Sequence, residues 1–127
     1  MADVNRGNRP LSPHVSIYRM PLNAVLSITH RITGVGMSLA SVLIVWYFLA
    51  AATSEAYFDT ASWVLTSFLG DLIMLGSLMA IWYHFCSGIR HLVWDTGSGL
   101  GQRRVQRSGI TALIAAAVLT LITIILA

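Results

Sequence analysis

Five side chains in this sequence are equipped for chemistry, and all stand within or beside stretches more apolar than water-facing protein: Ser27, His30, Arg31, His84 and His91. Ser27 and Arg31 are four apart, so on a helix a hydroxyl and a permanent cation project side by side. With His30, Gly34, Ser38 and Ser41 they form one polar or small face, which reads either as a functional face or as a helix-packing stripe with an arginine snorkelling to the interface. Gly70, Ser77, His84 and His91 recur every seven residues, a second such seam. His84 lies six residues before Arg90, roughly 9 Å along a helix axis. An imidazole at that depth is costly, faces protein or a cavity, and is a functional candidate by default. Gly88, one turn on, removes side-chain bulk from the same face, as a large planar ligand would require, and neutral imidazole is a common axial ligand of haem iron. The alternative is a neutral histidine hydrogen-bonded between helices. His91 is two turns beyond His84, about 10.5 Å away, too far to bind the same iron. A second axial ligand must then come from His30 or from another chain; another chain is favoured, because His30 sits beside Arg31 at a helix mouth, where propionates or quinone would be met.

The elements that position these groups follow from composition. Of 127 residues 56% are hydrophobic and only 10% charged. Residues 32–54, 72–89 and 108–127 carry no formal charge, and such runs match the roughly 20 residues a helix needs to cross about 30 Å of hydrocarbon. The expected fold is an all-α membrane protein of one anchor domain over residues 1–127, with three transmembrane helices at about 22–52, 62–92 and 108–127, packed within a multi-subunit helical bundle. Pro21 and Asn23 suit the start of the first helix. The run Thr96-Gly97-Ser98-Gly99-Leu100-Gly101 suits a turn after the second. No room remains for a soluble catalytic domain, so any redox chemistry sits in the membrane or belongs to partner subunits. The single cysteine, Cys86, excludes an internal disulfide or a cysteine-rich cluster built by this chain alone. The polar N-terminus with Asp3 lacks the pattern of a signal or transit peptide and reads as retained.

Charge placement predicts orientation. All eight basic residues are arginine: Arg6, Arg9, Arg19 and Arg31 precede or open the first span, and Arg90, Arg103, Arg104 and Arg107 lie between the second and third. The first connection has Glu55 and Asp59 and no base. Positive short loops stay inside, so the N-terminus, with residues 1–20, and the second connection are expected on the cytoplasmic side. The net charge of +3 is thus a topology signal and gives no reason to expect nucleic acid. Asp71, about 20 Å from His84 along one helix, falls near the far surface and has no assigned chemistry. Trp94 and Asp95 read as interfacial anchors or partners of Arg90, and Trp46, Tyr47, Tyr57 and Trp63 as an aromatic belt.

Two segments carry a resemblance. Arg9-Pro10-Leu11-Ser12-Pro13-His14, followed by Ser27-Ile28-Thr29-His30-Arg31-Ile32-Thr33-Gly34, resembles the N-terminal signature of the cytochrome b subunit of succinate dehydrogenase, the large membrane anchor of respiratory complex II. His84-Phe85-Cys86-Ser87-Gly88-Ile89-Arg90-His91-Leu92-Val93-Trp94-Asp95-Thr96-Gly97 resembles its second signature. The resemblance implies that His84 is a haem b axial ligand, with the opposite ligand donated by a smaller anchor subunit. It implies that Ser27 and Arg31 line a ubiquinone pocket and that His30, Arg31 and His91 meet haem propionates. It also implies an iron-sulfur subunit docked on the inner face, a flavoprotein beyond it, and electrons passing from succinate to quinone. Such a pocket needs an apolar wall and a few polar groups at the quinone carbonyls: a serine hydroxyl to donate a hydrogen bond and a guanidinium to favour developing negative charge without losing its own proton.

Two other functions fit parts of the sequence. A purely structural anchor without cofactor would use the same arginines. A small transporter would need Asp71 and His84 to relay protons, against which stand their separation and the lack of an internal repeat. Without a transit peptide, a bacterial inner membrane is the expected location.

Overall fold

The computed structural model describes residues 17–127. The motif at residues 9–14, Arg6 and Asp3 lie outside them. Four helices follow in order: α1 Leu22–Thr53, α2 Glu55–Leu65, α3 Phe68–Asp95 and α4 Gln102–Leu126. Three of them, α1, α3 and α4, are long and apolar enough to cross a membrane. They alternate in direction, since the start of α1 meets the end of α3 and the end of α3 meets the start of α4.

The helix boundaries follow local chemistry. Pro21, which cannot continue a hydrogen-bonded turn behind it, leads into α1, and its carbonyl accepts from the amides of Ala24 and Val25. Ser54 ends α1 and caps α2, its hydroxyl accepting from the Tyr57 amide at 3.3 Å. Ser67 caps α3 by accepting from the Gly70 amide at 3.2 Å. A side chain at Gly70 would run into the backbone carbonyls of Val64 and Leu65, so only glycine lets α3 leave α2 so tightly. After α3 the chain turns through Gly97 and Gly99, at φ 77° and 76°, left-handed conformations that glycine adopts without steric cost.

Two boundaries differ from the sequence expectation. The second span was expected as one helix over 62–92; instead a separate helix, α2, occupies 55–65, and α3 starts at Phe68 and runs to Asp95. The serine cap at position 67 and the tight turn at Gly70 break what hydropathy alone reads as continuous. The third span was expected from 108, whereas α4 begins at Gln102. An uncharged run marks where hydrocarbon begins, and arginines 103, 104 and 107 are good helix formers outside it.

The interior is narrow. Gly109, Ala112, Ala116 and Thr120 are the buried residues of α4, a row of small side chains that allows close backbone approach where no hydrophobic drive exists between helices in lipid. Against it pack Tyr83, Leu26 and the half-buried Leu22, Trp82 and Cys86, and the Trp82 indole donates to Thr123 Oγ1 at 2.9 Å. Most large apolar side chains point outward, Val35, Leu39, Val42 and Phe48 of α1 among them. Such a surface suits lipid or other membrane helices.

Candidate functional site

At the arginine-bearing end of the bundle, α1 and α3 bring three imidazoles together. His30 of α1 lies between His84 and His91 of α3, its ring stacked on His84 at a centroid distance of 3.9 Å and an interplanar angle of 15°, and on His91 at 4.9 Å and 24°. The seven-residue spacing of the two α3 histidines places them on one face, and His30 fills the interval. Gly34, one turn after His30, allows this approach, because a Cβ there would sit 3.0 Å from Cε1 of His84.

The His84 ring is oriented by α1. Its Nδ1 lies 3.1 Å from the His30 carbonyl oxygen, and because a carbonyl only accepts, Nδ1 carries the proton in this contact. Thr33 Oγ1 lies 3.3 Å from the same nitrogen, and the Thr33 hydroxyl is itself held on the carbonyls of Thr29 and His30, 2.9 Å from each. In the neutral ring the unprotonated nitrogen is therefore Nε2. This is the arrangement of metal-binding histidines, whose second nitrogen is fixed by a backbone carbonyl or carboxylate. His91 is set in the same way, its Nδ1 donating to the Ser87 carbonyl at 2.7 Å. A Cβ added at Gly88 meets nothing within 4 Å among the described residues.

A second polar group, on the neighbouring face of α3, was not singled out from spacing: Tyr83, Ser87 and Arg90. Their separations of four and three place them on one strip of helix, and all three are buried. The Tyr83 hydroxyl donates to the Leu26 carbonyl of α1 at 2.8 Å. Arg90, 8% exposed, donates from Nε to Ser108 Oγ at 3.1 Å and from Nη2 to the Val105 carbonyl at 3.0 Å. Its guanidinium also lies 4.0 Å from the centre of the Trp94 ring, a cation–π contact that offsets part of the cost of burying the charge. Of the two partners expected for Arg90, the structure supplies Trp94. The only signal in the sequence was the coincidence of three hydrogen-bonding side chains at helical spacing, which an aromatic and an arginine ordinarily share without function.

Ser27 is half-buried and Arg31 exposed, one turn apart on α1. The structure thus joins His30, His84 and His91 directly and leaves Ser27 and Arg31 on the flank of the same turn. Asp71 is far from all of them. It lines a groove of about 690 Å³ between α1, α2 and α3 with Met37, Tyr47, Ser77 and Ile81.

The family described as succinate dehydrogenase/fumarate reductase transmembrane subunit matches residues 5–124. The chain belongs to this family. It is 48% identical over 125 residues to the succinate dehydrogenase cytochrome b556 subunit of Paracoccus denitrificans, covering 98% of this chain and 96% of that protein. It is 37% identical over 124 residues to the succinate dehydrogenase cytochrome b560 subunit of Marchantia polymorpha, covering 93% and 90% of the two chains. With the cytochrome b556 subunit of Rickettsia prowazekii it shares 34% identity over 115 residues, covering 90% and 89%. The resemblance read from two motifs therefore extends over nearly the whole chain. This is a multi-pass membrane subunit of the succinate dehydrogenase complex, complex II, and an enzyme component only as part of that assembly.

Proposed function

We propose that this subunit holds haem b through Nε2 of His84 and forms, with Ser27 and Arg31, part of the site where complex II reduces ubiquinone with electrons from succinate. The carrying observation is the His84 ring itself, whose Nδ1 is committed to the His30 carbonyl at 3.1 Å, so that Nε2 is left as a lone pair for iron. The relatives named as b-type cytochromes support it. In rings stacked at 3.9 Å the in-plane lone pairs of His30 and His84 lie in two near-parallel planes and do not converge on one ion, which supports a second ligand from another chain, the small membrane-anchor subunit. With His91 and Arg31, His30 is suited to propionate carboxylates through Nε2, since its Nδ1 is buried among the described residues. When bound, haem b would supply a one-electron store.

Ser27 donates a hydrogen bond to a quinone carbonyl, and Arg31 stabilises negative charge on the ring without releasing a proton. The remaining partners are the iron-sulfur subunit, docked on the arginine-bearing face, and the flavoprotein beyond it. That face, with the α3–α4 connection and the N-terminus, is cytoplasmic in a bacterial inner membrane by the positive-inside rule. A reduced-minus-oxidised spectrum of the affinity-purified assembly, its subunits identified by mass, tests the haem: a reducible b-type band is expected, and its absence leaves an anchor without cofactor. Arg31→Leu tests the quinone site. Quinone reductase activity is expected to fall tenfold or more while reduction of a soluble artificial acceptor by succinate is retained; equal loss of both would indicate failed assembly instead.

A further inference from the structure

The turn of α1 that carries Ser27 is gripped from two other helices at one residue, Leu26. From α3, the Tyr83 hydroxyl, on a side chain 7% exposed, donates to the Leu26 carbonyl at 2.8 Å. From α4, Gly109 leaves the space into which the Leu26 side chain fits: a Cβ at Gly109 would lie 2.5 Å from Leu26 Cδ1 and 3.4 Å from Nη2 of Arg90. Leu26 is itself only 4% exposed. Arg90 then ties α3 to α4 one step further along, at Val105 and Ser108. In a bundle held by small-residue packing, a buried interhelical hydrogen bond and a shape-matched gap at the same point are the contacts able to set the rotation and depth of one helix against another.

We infer that Tyr83 and Gly109 are positioning residues for the quinone pocket: their junction on Leu26 sets where the Ser27 hydroxyl and the Arg31 guanidinium stand relative to the rest of the bundle. Neither touches quinone. The inference rests on the quinone reading of Ser27 and Arg31 and goes beyond it, because it assigns the geometry of that pocket to α3 and α4. The junction lies one turn before the grip on His84, which runs through the His30 carbonyl, Thr33 and Gly34 on the same side of α1; the two share a helix face but no donor or acceptor atom. Loosening it should therefore move the quinone pocket while the bonds that hold His84 remain made, so that haem is retained.

The test uses membranes carrying the assembled complex and a short-tailed ubiquinone. Tyr83→Phe keeps the ring and removes the hydroxyl, and is expected to raise KM for the quinone by up to about tenfold, the limit reached if the whole of one lost buried hydrogen bond is passed on to quinone binding. Turnover at saturation should stay within about twofold, haem should be retained, and the reduction of a soluble dye by succinate should be unchanged. Gly109→Ala, which displaces Leu26 from the opposite side, should give the same split between KM and kcat. Ser27→Ala is the control for the underlying reading. If Ser27→Ala raises KM but Tyr83→Phe and Gly109→Ala do not, the positioning role is overturned and the quinone site stands. If Ser27→Ala leaves KM unchanged, the quinone reading fails and takes this inference with it. Parallel loss of dye reduction, haem and quinone activity in both junction variants would assign the junction to folding alone and overturn the inference.

Discussion

The two ends of this bundle are built by different rules. At the arginine-bearing end, polar side chains reach from one helix to another: His84 to the His30 carbonyl, Tyr83 to the Leu26 carbonyl, Arg90 to Val105 and Ser108. At the other end, hydroxyls mostly turn back on their own helix, Thr53 to the Leu49 carbonyl, Thr60 to that of Ala56 and Thr66 to that of Ser62. Such bonds satisfy a polar group locally and hold nothing across the bundle. Two bonds there do join helices: the Trp46 indole donates to the Tyr57 hydroxyl at 2.8 Å and closes the bend between α1 and α2, and the Trp82 indole donates to Thr123 Oγ1 at 2.9 Å and joins α3 to α4. In lipid, where helices gain little from hydrophobic association, interhelical hydrogen bonds are spent where relative position matters. Their concentration at one end says that precise placement is needed there, and that the other end mainly spans and seals.

The largest test of this division is His84→Leu. Removing the imidazole is expected to abolish or strongly shift the b-type spectrum of the assembled complex, read as reduced-minus-oxidised absorbance in isolated membranes. An unchanged spectrum would strike His84 from the ligands and reduce the imidazole stack to helix packing.

How far each end could be read from residues alone follows the same division. The seven-residue spacing of His84 and His91 and the small residue at position 34 predict a shared face correctly, since helical periodicity is a property of the chain before any partner is present. That His30 would enter between the two α3 histidines could not be read, because it depends on the rotation of α1 against α3. Tyr83 is not legible for a similar reason: an aromatic in an apolar run is ordinary core, and its hydroxyl gains meaning only from a carbonyl on another helix. The break before α3 had a legible cause in Ser67 and Gly70, but hydropathy weighs both too lightly to interrupt a span. Ser27 and Arg31 stand on the turn the motif suggested, and their contact with quinone involves a molecule outside this chain.

A smaller effect is expected from Gly34→Ala. Its Cβ would meet His84 Cε1 at 3.0 Å, so the imidazole must give by a few tenths of an ångström or α1 must move away. Haem should still bind, with a shifted midpoint potential or a broadened band, because ligand orientation and its hydrogen bond tune the iron. Redox titration of the complex measures this. A variant identical to the parent would mean that the ring relaxes without effect on the iron, and that α1 does not orient the ligand.

The smallest effect is expected at the opposite end. Asp71 lies in the first turn of α3 and is exposed, where a carboxylate interacts favourably with the helix N-terminus by about 0.3–1 kcal/mol. Asp71→Asn gives up that charge and keeps the size of the side chain. Thermal stability of the assembly should drop slightly, while quinone reduction should stay within about twofold of the parent. The position is informative because Asp71 also lines the groove between α1, α2 and α3, and because a proton relay to His84 would have to cross roughly 20 Å of helix. A tenfold loss of quinone reduction in Asp71→Asn, with haem retained, would show that proton or quinone chemistry reaches the far end. The division between a placed end and a spanning end would then no longer describe this subunit.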